Sequence, residues 1–414
     1  MKRGILVLLV SISALLLPPA TPGSGDHAPA LILFEDTVLT EDFTGHIVIG
    51  ADDVDLDCGG HAIFGSGAGV GVTIPSRTRV TVVGCVVTGF DRGFLVAGGS
   101  HISLEGNVAE QNELDGFKVD GTSGFVLKEN RAVENGRDGF RVASSSGAKL
   151  ERNGAVGNAE AGFHVFASSH VVLRRNEASD NGKDGFKIVS SSTVSLRGNR
   201  ADDNDRDGFR ITQVSDFILE TNQAMNNAEV GILVFFGSHA RLSKNRAAEN
   251  GKDGFKVESS SELVLVKNGA VGNARDGFRL VDLSDSRVEK NEAAWNAKVG
   301  LHLFASSGNR LRKNVAAENG GDGFKIVMSW ENHVRDNVAW NNERDGFRIS
   351  QSEGNDFVRN RAFDNAAVGF HIFQSPNNEF RKNRACGNGV VDALQVASAG
   401  NEFERNEFCT TSGF

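Results

Sequence analysis

From residue 107 onward the apolar and polar positions of the chain recur in fixed columns. Asparagine stands at 107, 130, 153, 176, 199, 222, 245, 268, 291, 314, 337, 360, 383 and 406, with every interval equal to 23 residues. Five residues after each of the first thirteen comes a second asparagine, from Asn112 to Asn388, and two residues after comes alanine, from Ala109 to Ala385. Ten residues after, the column reads Phe117, Phe140, Phe163, Phe186, Phe209, Ile232, Phe255, Phe278, Leu301, Phe324, Phe347 and Phe370, each preceded by glycine. Twenty residues after, leucine dominates from Leu127 to Leu265 and gives way to Phe357, Phe380 and Phe403. A helical repeat would place apolar residues three and four apart over about ten positions. These units alternate every second residue instead, as in Phe140-Arg141-Val142, and glycine and asparagine punctuate them as tight turns do.

A period of this length means stacked units that bury their inner faces only against one another. The pattern predicts an all-β chain: one parallel β-helix solenoid of about 16 rungs, three short strands per 23-residue coil, right-handed as parallel crossovers almost always are. Rungs about 4.8 Å apart place each residue on its equivalent one period away. Inward asparagines then pass amide hydrogen bonds from rung to rung, and the phenylalanines stack along the axis. Residues 31–106 read as an N-terminal cap and first rungs, continuous as one domain with the regular rungs of 107–414.

The opening motif Asp36-Thr37-Val38-Leu39-Thr40-Glu41-Asp42, the segment Ile47 to Asp52, Leu56-Asp57-Cys58-Gly59-Gly60-His61 and the Asn-x-Ala-x-x-Asn-x-x-Asp-Gly-Phe rungs resemble the secreted bacterial right-handed parallel β-helix proteins of the pectate-lyase-like superfamily. The resemblance covers roughly residues 31–414 and implies the fold. It implies no single activity, because that superfamily holds lyases, hydrolases, epimerases and copper-site accessory proteins.

Charge and cysteine content narrow the setting. Lys+Arg 44 against Asp+Glu 53 gives a formal net charge of −9, which argues against a nucleic-acid partner. Lys2 and Arg3, the apolar run Ile5 to Leu17 and Pro18-Pro19-Ala20 have the layout of a secretory signal peptide within residues 1–30, with cleavage between 20 and 31. The mature chain is then expected outside the cytoplasm, secreted or periplasmic, with a charge near −11 and no membrane span. Four cysteines in an exported chain favour disulfides. Cys386 and Cys409 are one period apart, within bridging distance at the rung spacing; Cys58 and Cys85 are 27 apart and need a longer first coil.

Candidate chemistry lies in a second period of three rungs. Eleven residues after each ladder asparagine stand Lys118, Arg141, His164, Lys187, Arg210, Leu233, Lys256, Arg279, His302, Lys325, Arg348 and His371. Every third rung adds an aromatic: Phe166, Phe235, Phe304 and Phe373. This column alternates outward from the phenylalanines and forms a stripe of cations on one sheet. Each Lys or Arg rung also carries an aspartate three residues earlier (115, 138, 184, 207, 253, 276, 322, 345), where the His and Leu rungs carry Ala161, Val230, Val299 and Val368. Such charges read as solvated local pairs, each worth at most about 1 kcal/mol, or as a ligand stripe. The recurring histidines are three rungs apart and cannot share a metal; no metal site or cofactor is expected. The chain has no tyrosine, which removes tyrosine-acid mechanisms, and Asp202-Asp203 is the most suggestive carboxylate pair. The columns run unbroken where an enzyme site would interrupt them. The sequence therefore describes a non-catalytic exported β-helix with a structural or binding role, its candidate partner an acidic polysaccharide or cell-envelope glycan. The alternative is a lyase, glycoside hydrolase or C5-epimerase acting on a uronan.

Overall fold

The structure, a computed structural model, describes residues 30–414; the signal-peptide reading falls on 1–29, outside the described residues. Among them there is no helix. The chain winds through sets of three short parallel strands at the 23-residue spacing, a parallel β-solenoid of about 16 coils. Two compact units can be distinguished, one ending at Gly182 and one running Lys183–Phe414.

In the second unit, the coil that begins at Asn199 contributes strands Arg200–Asp202, Phe209–Thr212 and Ile218–Glu220. Each pairs in parallel with its copy one period on: Arg200 with Gln223, Phe209 with Ile232, Ile218 with Arg241. The first unit keeps the same register, with Phe117 beside Phe140 and Phe140 beside Phe163. Two-residue alternation decides which face is inside. In Phe209–Thr212 the phenylalanine and Ile211 are buried, while Arg210 and Thr212 are half-buried outward.

The turn into each ladder asparagine is made by one left-handed residue, such as Thr221 (φ 55°), Lys244 (φ 56°) or Lys267 (φ 57°). The asparagine that follows closes it. Asn245 Nδ2 donates to the Leu219 carbonyl at 2.9 Å and to Asn268 Oδ1 at 3.0 Å. Its own Oδ1 accepts from the Asn222 backbone N–H at 2.9 Å and from Asn222 Nδ2 at 3.0 Å. Both donors and both lone pairs are thus used, which is what lets a primary amide sit 1% exposed without an unmet polar atom. The second asparagine column does the same, with Asn250 Nδ2 on Asn273 Oδ1 at 2.9 Å and on the Ala224 carbonyl at 3.2 Å.

Beside the ladders lie the aromatic stacks. Phe186 and Phe209 are 4.8 Å apart at the ring centroids, as are Phe347 and Phe370, with planes 4° apart in each pair. In the first unit Phe117, Phe140 and Phe163 continue the same geometry. The glycine before each ring is a packing requirement. A Cβ on Gly208 would lie 2.8 Å from Asn227 Nδ2, from Ala224 Cβ and from the Gly231 carbonyl, so the neighbouring coil leaves no room for one. Both ends are clamped by disulfides. Cys386–Cys409 spans 5.2 Å between α-carbons, the pairing the one-period spacing predicts, and Cys58–Cys85 spans 4.8 Å across a coil four residues longer.

This inside-outside order fixes an expected contrast. Phe209→Ala should lower the unfolding free energy by about 3–5 kcal/mol, as truncation of a buried ring does. Arg197→Ala, a half-exposed side chain, should cost at most about 1 kcal/mol. Chemical denaturation reads both, and equal losses would contradict the register.

Candidate functional site

The outward column of the sheet built from Phe209–Thr212 and its equivalents is in register throughout each unit. Lys118, Arg141 and His164 face one another along the first. In the second, Lys187, Arg210, Leu233, Lys256, Arg279, His302, Lys325, Arg348 and His371 follow in order. All are half-buried except Leu233, which is buried. Phe166 is exposed, and Phe235, Phe304 and Phe373 are half-buried on the same sheet.

The aspartates correct the expectation of solvated pairs, for all eight are buried, at 1–4% exposure. They are structural caps as well as charges. Asp138 Oδ1 accepts the Ala161 N–H of the next coil at 3.1 Å, and Asp207, Asp276 and Asp345 accept those of Val230, Val299 and Val368 at 3.0–3.1 Å. The same bond links the aspartates of successive coils: Asp184, Asp253 and Asp322 accept the N–H groups of Asp207, Asp276 and Asp345 at 3.0–3.3 Å. Oδ2 meets the arginine of its own coil, at 3.1 Å for Asp207–Arg210 and 3.5 Å for Asp276–Arg279. The lysine rungs differ, since Lys118 pairs with Asp120 and Lys256 with Glu258, two residues on.

The histidines complete the arrangement. Nδ1 of His164 lies 2.9 Å from Asp138, that of His302 3.2 Å from Asp276 and that of His371 2.8 Å from Asp345. Burial alone would raise Asp138 and Asp276, but the imidazole hydrogen bond and charge hold both below the usual carboxylate range. Asp207 has no such partner, because Leu233 stands where the histidine would be. Burial, reinforced by the charge of Asp184, pushes it up to about 6. One substitution in the repeat thus creates a carboxyl that takes up a proton near neutrality.

Two grooves open along this face of the second unit. One, of about 470 Å³, is lined by Arg210, Lys252, Lys256, Arg275 and Arg279 together with Asp207, Glu229, Asp253 and Glu258, around Leu233 and Phe235. The other, of about 410 Å³, has Arg275, Arg279, Lys298, Lys325 and Arg344 around His302, whose Nε2 is buried and without a hydrogen-bond partner. Gly320 and Gly321 lie along it, and a Cβ on Gly321 would come within 2.8 Å of the Lys298 backbone. The sequence reading missed the outer half of these walls. Arg137, Lys183, Arg206, Lys252, Arg275, Lys298 and Arg344 stand seven residues after the ladder asparagine, a column interrupted by Leu114, Glu160, Glu229, Gly321 and Ala367. Asp202 and Asp203, by contrast, form no shared groove: Asp202 is buried against Arg200 and Asp203 is exposed at a left-handed turn.

A family profile described as "Right handed beta helix region" matches residues 48–201 and 169–314, more than half of the chain, and the chain belongs to that family. A second, "Periplasmic copper-binding protein (NosD)", matches residues 264–412. The residues of that stretch do not fit a copper centre. His302 and His371 are three coils apart, Cys386 and Cys409 are bonded to each other, and no three metal-ligating side chains converge among the described residues. Comparison with curated protein sequences gives no match. Among solved structures, the periplasmic alginate epimerase AlgG is similar over 83% of this chain and 78% of its own, at 12% identity and a TM-score of 0.47. The A-module of the Azotobacter vinelandii mannuronan C-5 epimerase AlgE4 is similar over 70% and 88%, at 15% identity and 0.44. These are likenesses of fold.

The contrast between Asp207 and Asp276 yields opposite expectations. Folded Asp207 binds its proton more tightly than the unfolded chain does, so stability falls as pH rises from about 4 to about 6 and stays lower above it. Asp207→Asn, whose Oδ1 still accepts from Val230, should therefore stabilise the protein at pH 7, by up to about 3 kcal/mol, and lose that advantage below about pH 4. Asp276→Asn should destabilise at pH 7, because it breaks the histidine pair. Thermal unfolding across pH separates the two; the same sign for both at pH 7 would contradict the assignment.

Proposed function

We propose that this chain is an exported β-helix protein that binds an acidic polysaccharide along the outward face of the sheet that carries Phe209–Thr212. The observation that carries the reading is the pair of cation columns, eleven and seven residues after the ladder asparagine, which wall the two grooves. Rungs recur about every 4.8 Å, so a polymer bearing a carboxylate on each sugar finds cations at successive steps. The buried aspartates do not cancel this, since they are occupied by backbone amides and by the inner arginines. What remains at the surface is the outer column, in which Lys252 is paired with Glu229 at 3.0 Å. Phe235, on the floor of the first groove, adds apolar surface for a sugar ring. Export is supported by the two disulfides and by the match of residues 264–412 to a periplasmic family.

A catalytic reading on the same class of polymer is favoured by one feature. His302 is oriented through Nδ1 by Asp276 and lines a groove of cations, its second nitrogen buried and without a partner. That is the arrangement of a general base beside charges able to neutralise a carboxylate.

Chromatography on immobilised polyuronate tests the binding reading. The wild type should be retained at low salt and released as salt rises, because exposed contacts are screened. Arg275→Gln, Lys298→Gln and Arg344→Gln together remove the exposed outer cations of the second unit without unpairing a buried aspartate, and the triple variant should pass unretained with an unchanged melting temperature. A wild type that is not retained, or a triple variant retained equally, contradicts the proposal. Turnover of the polyuronate that His302→Gln abolishes would establish the catalytic reading instead.

A further inference from the structure

A different corner of the coil departs from the repeat in a place that neither cation column reaches. Sixteen residues after the ladder asparagine, serine stands in nine successive coils, from Ser123 to Ser307. The next three coils carry Trp330, Glu353 and Pro376 instead. Two residues earlier, the same coils present Met328, Gln351 and Gln374. Long side chains occur at that earlier position elsewhere, in Gln213 and Phe236, but only here does the serine column change with it.

The change is braced from inside. Two residues beyond the serine column, the positions filled by Val194, Phe217, Ala240 and Leu263 become asparagine from Asn309 onward. Asn309, Asn332, Asn355 and Asn378 form a third buried ladder, with amide-to-amide distances of 3.0 Å. Each of the last three also holds the carbonyl of the new corner residue: Asn332 that of Trp330 at 3.0 Å, Asn355 that of Glu353 at 3.1 Å, Asn378 that of Pro376 at 3.0 Å. The backbone that presents the corner is therefore fixed before any ligand arrives, which lowers the ordering cost of binding.

What it presents is a depression of about 380 Å³, with Met328, Trp330, Gln351, Glu353, Gln374 and Pro376 around it. Trp330 and Met328 are 47% and 46% exposed. Here two large apolar side chains are left in water side by side around one depression, at a cost in forgone burial. The polar side chains exposed around it are Gln351, Glu353 and Gln374, with Ser329 and Ser352 buried beneath. Two side-chain amides both donate and accept, and one carboxylate accepts. No Lys, Arg or His lines the depression, so a carboxylate-bearing sugar would meet Glu353 with nothing to offset the repulsion.

We infer that this corner is a binding site for an uncharged pyranose unit of a glycan, separate from the basic grooves and independent of what they bind. The C–H face of the sugar lies on the Trp330 indole, as aromatic planes favour. Its hydroxyls donate to Glu353 and exchange hydrogen bonds with Gln351 and Gln374.

Affinity electrophoresis in gels containing hydroxyethyl cellulose, galactomannan, xylan or dextran tests this, with polyuronate chromatography run beside it. At least one neutral glycan should retard the wild type. Trp330→Ser restores the residue that nine other coils carry, so the fold is kept; the variant should lose retardation by about tenfold or more in apparent affinity, equivalent to 1.4 kcal/mol. Gln351→Ala should weaken it by a smaller factor. Neither change should alter polyuronate retention or the melting temperature. The inference is overturned if none of the neutral glycans retards the wild type, or if Trp330→Ser is retarded equally. It is also overturned if the variant's only effect is a lower mass by light scattering, which would make the corner a contact between copies of the chain.

Discussion

The hydrogen bond between equivalent asparagine side chains of neighbouring coils is the interaction on which the rest of the structure depends. It forms only when the coil closes after a fixed number of residues, because Asn245 must reach Asn222, Asn268 and the Leu219 carbonyl at once. A slip of one residue would turn every inward side chain outward and leave a column of buried amides unmet, at about 1–3 kcal/mol each. The alanine and glycine columns follow from the same closeness of coils. So do the phenylalanine stacks, whose spacing is set by the backbone rather than by the rings.

The same constraint shapes the outer face. A residue placed outward in one coil is repeated beside itself in the next, and like charges in register repel. The three-coil order of lysine, arginine and histidine, each arginine over a buried aspartate, dilutes that repulsion and supplies acceptors for amides that would otherwise be bare. Where the order fails, at Leu233, the consequence is local and legible: Asp207 loses its imidazole and holds its proton to about pH 6. Function in such a fold is read from departures of this kind more than from the repeat itself.

The sequence reading was strongest where the period acts directly. Strand count per coil, inward asparagines and phenylalanines, and the Cys386–Cys409 disulfide are consequences of spacing, and spacing is visible in one dimension. The aspartates were misread as solvated because burial depends on how the turn above them folds over, and no column shows that. The outer cations from Arg137 to Arg344 were visible as a column but carried no three-rung alternation as clean as that of the stripe. The third asparagine ladder from Asn309 was overlooked for a plainer reason: it starts late and occupies only the last coils. The corner it supports departs from a serine column that had not been marked as regular.

Excision of whole coils tests the dependence on register most directly. Removing residues 222–290, three periods of the second unit, joins Thr221 to Asn291 and returns every column, including the three-coil order, to itself. Removing one residue fewer breaks all of them at the junction. If the coil-to-coil ladders govern the fold, the first deletion keeps a cooperative thermal transition and the wild-type far-ultraviolet circular dichroism per residue, as stacked repeats allow. The second should lose the transition. A junction out of register that melts like the one in register would contradict the account.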